Sequence, residues 1–156
     1  MIQRIQSVFL LLLALAMLSV LALPLWHKTD GLTHQELTLT AWGFEAHGLP
    51  MPAGGAVWLI GALAAASAAV AGFEIFQFRR RSQQLLLGSV NLLLIVATLG
   101  AMFYFSNRGE QALNLKLEGQ FQAGFYLPTL ALLLNLLANR FIRRDEQLVR
   151  SADRLR

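Results

Sequence analysis

Long apolar runs alternate with short polar ones along this chain, and four of the runs have the length of a membrane span. Residues 8–26, 56–78, 85–105 and 125–142 consist mainly of Leu, Ala, Val, Ile, Phe and Gly. A helix rises about 1.5 Å per residue, so some 20 residues cross a hydrocarbon core about 30 Å thick. The pattern predicts an all-α membrane protein, a bundle of four transmembrane helices forming a single domain. Two polar segments, 27–55 and 106–124, join the spans on one side, a tight basic turn joins them on the other, and a charged helical tail, 143–156, continues the fourth. Arg4 and Ala14-Leu15-Ala16 would also suit a cleaved signal peptide. A signal h-region is usually shorter than the run 8–26, so a retained first helix is expected.

Inside the polar segments the period changes from helical to two. Leu37-Thr38-Leu39-Thr40-Ala41-Trp42 and Leu113-Asn114-Leu115-Lys116-Leu117-Glu118 both alternate, which predicts a short strand in each outer loop. Two strands alone are marginal in water, so if they pair into a small cap they need the helix ends as a floor. In the second span Gly61, Ala65, Ala68 and Gly72 fall at spacings of four, three and four, a face that lets a neighbouring backbone come close. Pro128 is tolerated in the first turn of the fourth span.

Composition excludes an ordinary soluble domain. Apolar residues make up 56% and charged ones 14%, against roughly 25% charged in a typical globular protein. With no cysteine, disulfides, thiolate metal sites and cysteine nucleophiles are ruled out. Charge placement sets the expected orientation. Arg4, Arg79, Arg80, Arg81, Arg140, Arg143, Arg144, Arg150, Arg154 and Arg156 fall on one side, ten in all, and only Lys28, Arg108 and Lys116 on the other. By the positive-inside rule both termini are cytoplasmic and both strand-bearing loops face outward. Trp26, Trp58, Tyr104 and Tyr126 stand near the outer ends of their spans, as an aromatic belt would.

Few residues offer chemistry. Glu74 is the acidic residue within a span, about 7 Å from the basic turn at helical rise. The leading reading is a structural ion pair with Arg140 or one of Arg79, Arg80 and Arg81, and the rival is a proton relay or substrate site. Asn91, Asn135 and Asn139 are the other polar groups that are costly in a span, read first as interhelical hydrogen-bonding glue and second as a polar pocket. His27, His34 and His47 share a loop with Asp30, Glu36 and Glu45 but lack ligand spacing, so no metal and no cofactor is expected. Spans without histidine argue against an intramembrane haem held by histidine. No phosphate loop or serine-nucleophile motif is present, which leans against an enzyme and leaves the question open.

The tail carries two readings. Phe141, Asp145, Leu148, Ala152 and Leu155 step by four, three, four and three, an apolar stripe apart from Asp145. Arg143, Arg144, Arg150 and Arg154, with Arg79, Arg80 and Arg81 of the basic turn, suit anionic lipid headgroups, whereas Leu148 and Leu155 suit a protein partner docking on a helix. Acidic residues interrupt the arginines and no aromatic follows Phe141, which disfavours nucleic acid.

The start Met1-Ile2-Gln3-Arg4-Ile5-Gln6 and the end Asp145-Glu146-Gln147-Leu148-Val149-Arg150-Ser151-Ala152-Asp153-Arg154-Leu155-Arg156, around four apolar runs, resemble a family of small inner-membrane proteins of the Bacteroidota catalogued as a domain of unknown function. The resemblance implies a bacterial inner membrane and brings no activity with it. Sequence alone therefore leaves two classes of function: an accessory or scaffold subunit of a membrane assembly, and a small transporter or membrane enzyme with a polar pocket at Glu74.

Overall fold

The structure, a computed structural model, describes residues 2–31, 34–48, 50, 55–77, 80–113 and 118–153. Among them four helices and four strands follow in the order α1 (Ile2–Val20), β1 (Trp26–Asp30), β2 (Gln35–Leu39), β3 (Phe44–His47), α2 (Leu59–Phe76), α3 (Arg81–Ala112), β4 (Gln120–Phe121) and α4 (Ala123–Asp153). Each helix packs against the next, and α4 closes back onto α1, so the order around the bundle is α1, α2, α3, α4. By length and composition α2, α3 and α4 are apolar enough to cross a membrane, while the apolar part of α1, Ile5–Val20, is shorter.

The first apolar run does not stay helical to its end. α1 stops at Val20, and Pro24, which lacks an N–H and disfavours helix in the residue before it, prevents a restart. Leu25 turns into the sheet instead: its N–H donates to the Leu39 carbonyl at 2.8 Å, and the Gln122 N–H donates to its carbonyl at 2.9 Å. Trp26 then begins β1 and is buried rather than part of an interfacial belt. Trp58, Tyr104 and Tyr126 are exposed.

The expectation of short strands confined to outer loops is corrected by an antiparallel sheet of four strands, ordered β3-β2-β1-β4, that is central to the core. Trp26, Leu37, Leu39 and Phe44 belong to one buried cluster with Met17, Ile60, Met102 and Phe125 from the helices. β2 overlaps the alternating stretch at 37–42, but the chain turns at Thr40, whose hydroxyl donates to the Gly43 carbonyl at 2.9 Å, and returns as β3. β1 pairs with β2 from Trp26↔Leu39 to Asp30↔Gln35. Its inward residues are Trp26, Lys28 and Asp30, so two of three buried positions are charged and the apolar alternation that marks a strand is absent. The second alternating stretch lies largely outside the described residues. Leu113 caps α3, and the segment enters the sheet later, where Trp26 pairs with Phe121.

The sheet sits where α1 and α3 end and where α2 and α4 begin. The Gly61 N–H in the first turn of α2 donates to the Ala41 carbonyl at 3.0 Å, and the Gly124 N–H at the start of α4 donates to the Pro24 carbonyl at 3.2 Å. The opposite end of the bundle carries the start of α1, the end of α2, the start of α3 and the charged half of α4. This is the arginine end of the bundle.

Candidate functional site

Polar side chains are buried within an otherwise apolar interior, and the outer faces of the helices are apolar. Ser67, Asn91, Thr98 and Asn135 are buried, while Leu86 and Leu93 on the outer face of α3 are 67% and 70% exposed. On α2 the buried face is Ile60, Gly61, Ala64, Ser67, Ala68, Ala71 and Glu74. The expected small-residue stripe is thus rotated: Gly61 and Ala68 are inside, whereas Ala65 and Gly72 are half-buried. Small residues occupy every side of this helix, so spacing alone does not choose among faces.

The three asparagines lie in contacts between and along helices. The Ser67 hydroxyl donates to Asn91 Oδ1 at 2.6 Å and joins α2 to α3. Asn135 Nδ2 donates to the Gly88 carbonyl at 3.0 Å and joins α4 to α3, and Asn139 Nδ2 donates to Asn135 Oδ1 at 3.2 Å. Gly88 allows a close approach: a Cβ there would overlap the Asn139 amide, with Cγ only 2.9 Å away, so the Asn139 side chain would have to shift. These polar groups are spread through three helices, α2, α3 and α4.

Glu74 is fully buried near the arginine end of α2. Neither carboxylate oxygen has a hydrogen-bond partner among the described residues. Gln84 of α3 reaches the Glu74 backbone carbonyl at 3.4 Å rather than the side chain. The expected pairing with Arg140 does not form, because Arg140 lines a groove between α3 and α4. Arg79 lies outside the described residues, as does the side chain of Arg81, and Arg80 is exposed at the start of α3.

A buried ion pair at the sheet end escaped the sequence reading. Lys28 on β1 donates through Nζ to Glu110 Oε1 at 2.7 Å and to the Glu110 carbonyl at 3.1 Å. The Lys28 side chain is fully buried and that of Glu110 is 32% exposed. The Gly119 N–H donates to Glu110 Oε2 at 3.1 Å, so a single carboxylate binds α3 to β1 and to the strand leading into α4. Gly119 lies flat on the Trp26 indole, leaving no room for a side chain. A pocket of about 320 Å³ opens beside the pair, walled by Trp26, Phe103, Phe121, Glu110 and Glu118. The signal that would have found the pair is a lysine two residues from a tryptophan in a segment forced to be extended by Pro24. His27, read as a remote metal candidate, lies 2.8 Å from the Thr38 hydroxyl across β1 and β2, and His47 stands opposite Glu36 in β3.

At the arginine end α4 continues without a break to Asp153. Phe141, the first residue of the expected docking stripe, stacks on Phe9 of α1 with ring centroids 5.6 Å apart. That part of the stripe is therefore packed against the bundle. The side chains of Leu148, Arg150 and Ala152 are outside the description, and so are residues Arg154 and Leu155. The described arginines of α4 gather on its other side: Arg140, Arg143 and Arg144, with Ser89, Leu92, Leu136, Asn139 and Gln147, line an open groove of about 580 Å³.

Taken together these features define a predominantly helical protein, with long apolar helices compatible with membrane insertion, several buried polar side chains and a small antiparallel sheet. A family profile described as a domain of unknown function (DUF4293) matches residues 2–155, and the chain belongs to that family. No match to the chain is found among curated proteins or among solved structures.

Proposed function

We propose that the chain is a multi-pass protein of a bacterial inner membrane, with four spans and both termini cytoplasmic, acting as a non-enzymatic accessory or scaffold subunit of a membrane assembly. The observation that carries the membrane reading is the apolar outer surface of the helices, beside which polar side chains are held inside the bundle. Asn91 and Asn135 are fully buried while Leu86, Leu93 and Phe76 are exposed by two thirds or more. An apolar outer surface of this extent is costly in water and suits lipid. The arginines of one end favour the cytoplasmic side, and the resemblance of the two termini to proteins of the Bacteroidota favours a bacterial inner membrane.

The scaffold reading draws on α4. Its 31 residues make a helix about 46 Å long, against a hydrocarbon core of about 30 Å. Its charged half projects beyond the lipid as a rigid rod, suited to holding a protein partner while its arginines contact headgroups. Meanwhile Ser67, Asn91 and Asn135 hydrogen-bond to other helices, a use of polarity that fixes a frame. The test is co-purification in a gentle detergent of the full chain and of a chain ending at Gln147. Proteins retained by the first and lost by the second are expected, and identical sets from both would remove the docking claim.

Glu74 favours a second reading, a small transporter or membrane enzyme. A fully buried carboxylate without a hydrogen-bond partner among the described residues is costly in a span and is a functional candidate for that reason. Glu74→Gln separates the two classes: a scaffold keeps its assembly and partners, whereas a transporter loses flux in reconstituted vesicles while still assembling.

A further inference from the structure

We propose that the groove between α3 and α4 at the arginine end is a binding site for an anionic phospholipid, whose phosphate is held by Arg140, Arg143 and Arg144 and whose acyl chains lie on Leu92 and Leu136. The inference rests on the membrane reading above and goes beyond it by assigning a discrete site.

Three features of the groove support this occupant. The first is charge: among the described residues three arginines line it, no Asp or Glu does, and none of the three is in an ion pair. Guanidinium groups match phosphate oxygens in a planar, bidentate geometry, so the groove is complementary to a phosphodiester. The second is size, since about 580 Å³ falls within the range of about 300–1,000 Å³ typical of small-molecule sites. The third is polarity along the groove, which separates a lipid from free phosphate. Leu136 lies one helical turn deeper into the bundle than Arg140, and Leu92 is nearly one turn deeper along α3 than Ser89. Beyond them Leu93 and Leu133 continue an exposed apolar surface toward the middle of the bundle. A site that is cationic at the membrane boundary and apolar inward has the polarity of one phospholipid molecule. Basic pockets between helices on the cytoplasmic side of a membrane are suited to such headgroups.

The arginines follow from the helical repeat of α4. Leu136, Arg140, Arg143 and Gln147 step by four, three and four and so share the face turned toward α3, while Phe141 turns to Phe9 on α1. Packing Phe141 against α1 fixes the rotation of α4 that presents these arginines to the groove.

The test uses the full chain in detergent micelles, titrated with dioleoylphosphatidylglycerol or with dioleoylphosphatidylcholine, with retained lipid read by native mass spectrometry. Phosphatidylglycerol is expected to bind at least about tenfold more tightly, and to weaken about fivefold for each arginine replaced, on the order of a hundredfold for R140Q/R143Q/R144Q. Arg108→Gln at the sheet end should leave binding unchanged. Equal retention of the two lipids, or full retention by the triple variant, overturns the proposal. So does displacement of phosphatidylglycerol by millimolar inorganic phosphate, which would make the groove a simple anion site. If the triple variant loses its helical circular dichroism, Leu136→Trp decides, because it keeps the arginines and fills the apolar floor: lost retention supports the lipid site and unchanged retention overturns it. Alkaline carbonate treatment of the membrane fraction keeps the two levels apart. Release of the protein would refute the membrane reading itself, whereas a membrane-retained protein with no lipid preference refutes only the site.

Discussion

Removing the Glu110 carboxylate tests whether the sheet is tied to the bundle by charge. In Glu110→Ala, the fully buried Lys28 ammonium keeps one acceptor, the residue 110 carbonyl at 3.1 Å, and loses the carboxylate at 2.7 Å, while the Gly119 N–H loses its acceptor. Breaking a buried pair from one side costs about 3–5 kcal/mol. Glu110 is 32% exposed, so water replaces part of what the carboxylate gave, and the lower end, about 3 kcal/mol, is expected. Lys28→Met removes the stranded charge, and the double variant K28M/E110A should recover about half of the loss or more, since an apolar replacement of a buried pair is often close to neutral. The assay is a double-mutant cycle on unfolding free energies in mixed micelles, with near-ultraviolet circular dichroism of the adjacent Trp26 as a local probe. A cost below about 0.5 kcal/mol for E110A, the scale of an exposed ion pair, would show that the pair is solvated and that the burial argument is wrong.

Three further outcomes are expected. Gly88→Ala places a methyl group against the Asn139 amide and should cost about 1–3 kcal/mol by overpacking. The same substitution in an Asn139→Ala background should cost less than half as much, and equal costs would place the strain elsewhere. Asn135→Ala removes both the donor to the Gly88 carbonyl and the acceptor of Asn139 Nδ2 and should cost about 1 kcal/mol in a thermal melt, at about 0.6 kcal/mol for each such hydrogen bond. Glu74→Gln, by contrast, should leave the unfolding free energy unchanged or raised, because the carboxylate oxygens make no hydrogen bond among the described residues. A loss of about 3 kcal/mol would reveal a cationic partner for that carboxylate.

How much of this was legible in the chain varies by element. Four apolar helices are written in runs of Leu, Ala and Val, because burying or lipid-facing an entire helix demands apolar residues on every side. β2 was visible because Leu37 and Leu39 alternate with polar neighbours. β1 was hidden by its own chemistry: Lys28 and Asp30 point inward, and an inward charge reads as a solvated loop until its partner 82 positions away is known. The asparagines were recognisable as costly, but their partners Ser67 and the Gly88 carbonyl were not, since neither has a distinctive neighbourhood in sequence.

The sequence by itself determined the helices, the polar segment between the first two, and the gathering of arginines at one end, because hydrophobic periodicity and charge are local properties. The tertiary structure decided everything that depends on rotation and register. It chose which side of α2 packs, carried Leu25 and Trp26 out of the first apolar run into a sheet, and buried Lys28 on Glu110. It also turned Phe141 toward α1 so that Arg140, Arg143 and Arg144 line one groove. Those choices rest on contacts between residues far apart in the chain, and a helix apolar on all sides carries no local mark of the face it will turn inward.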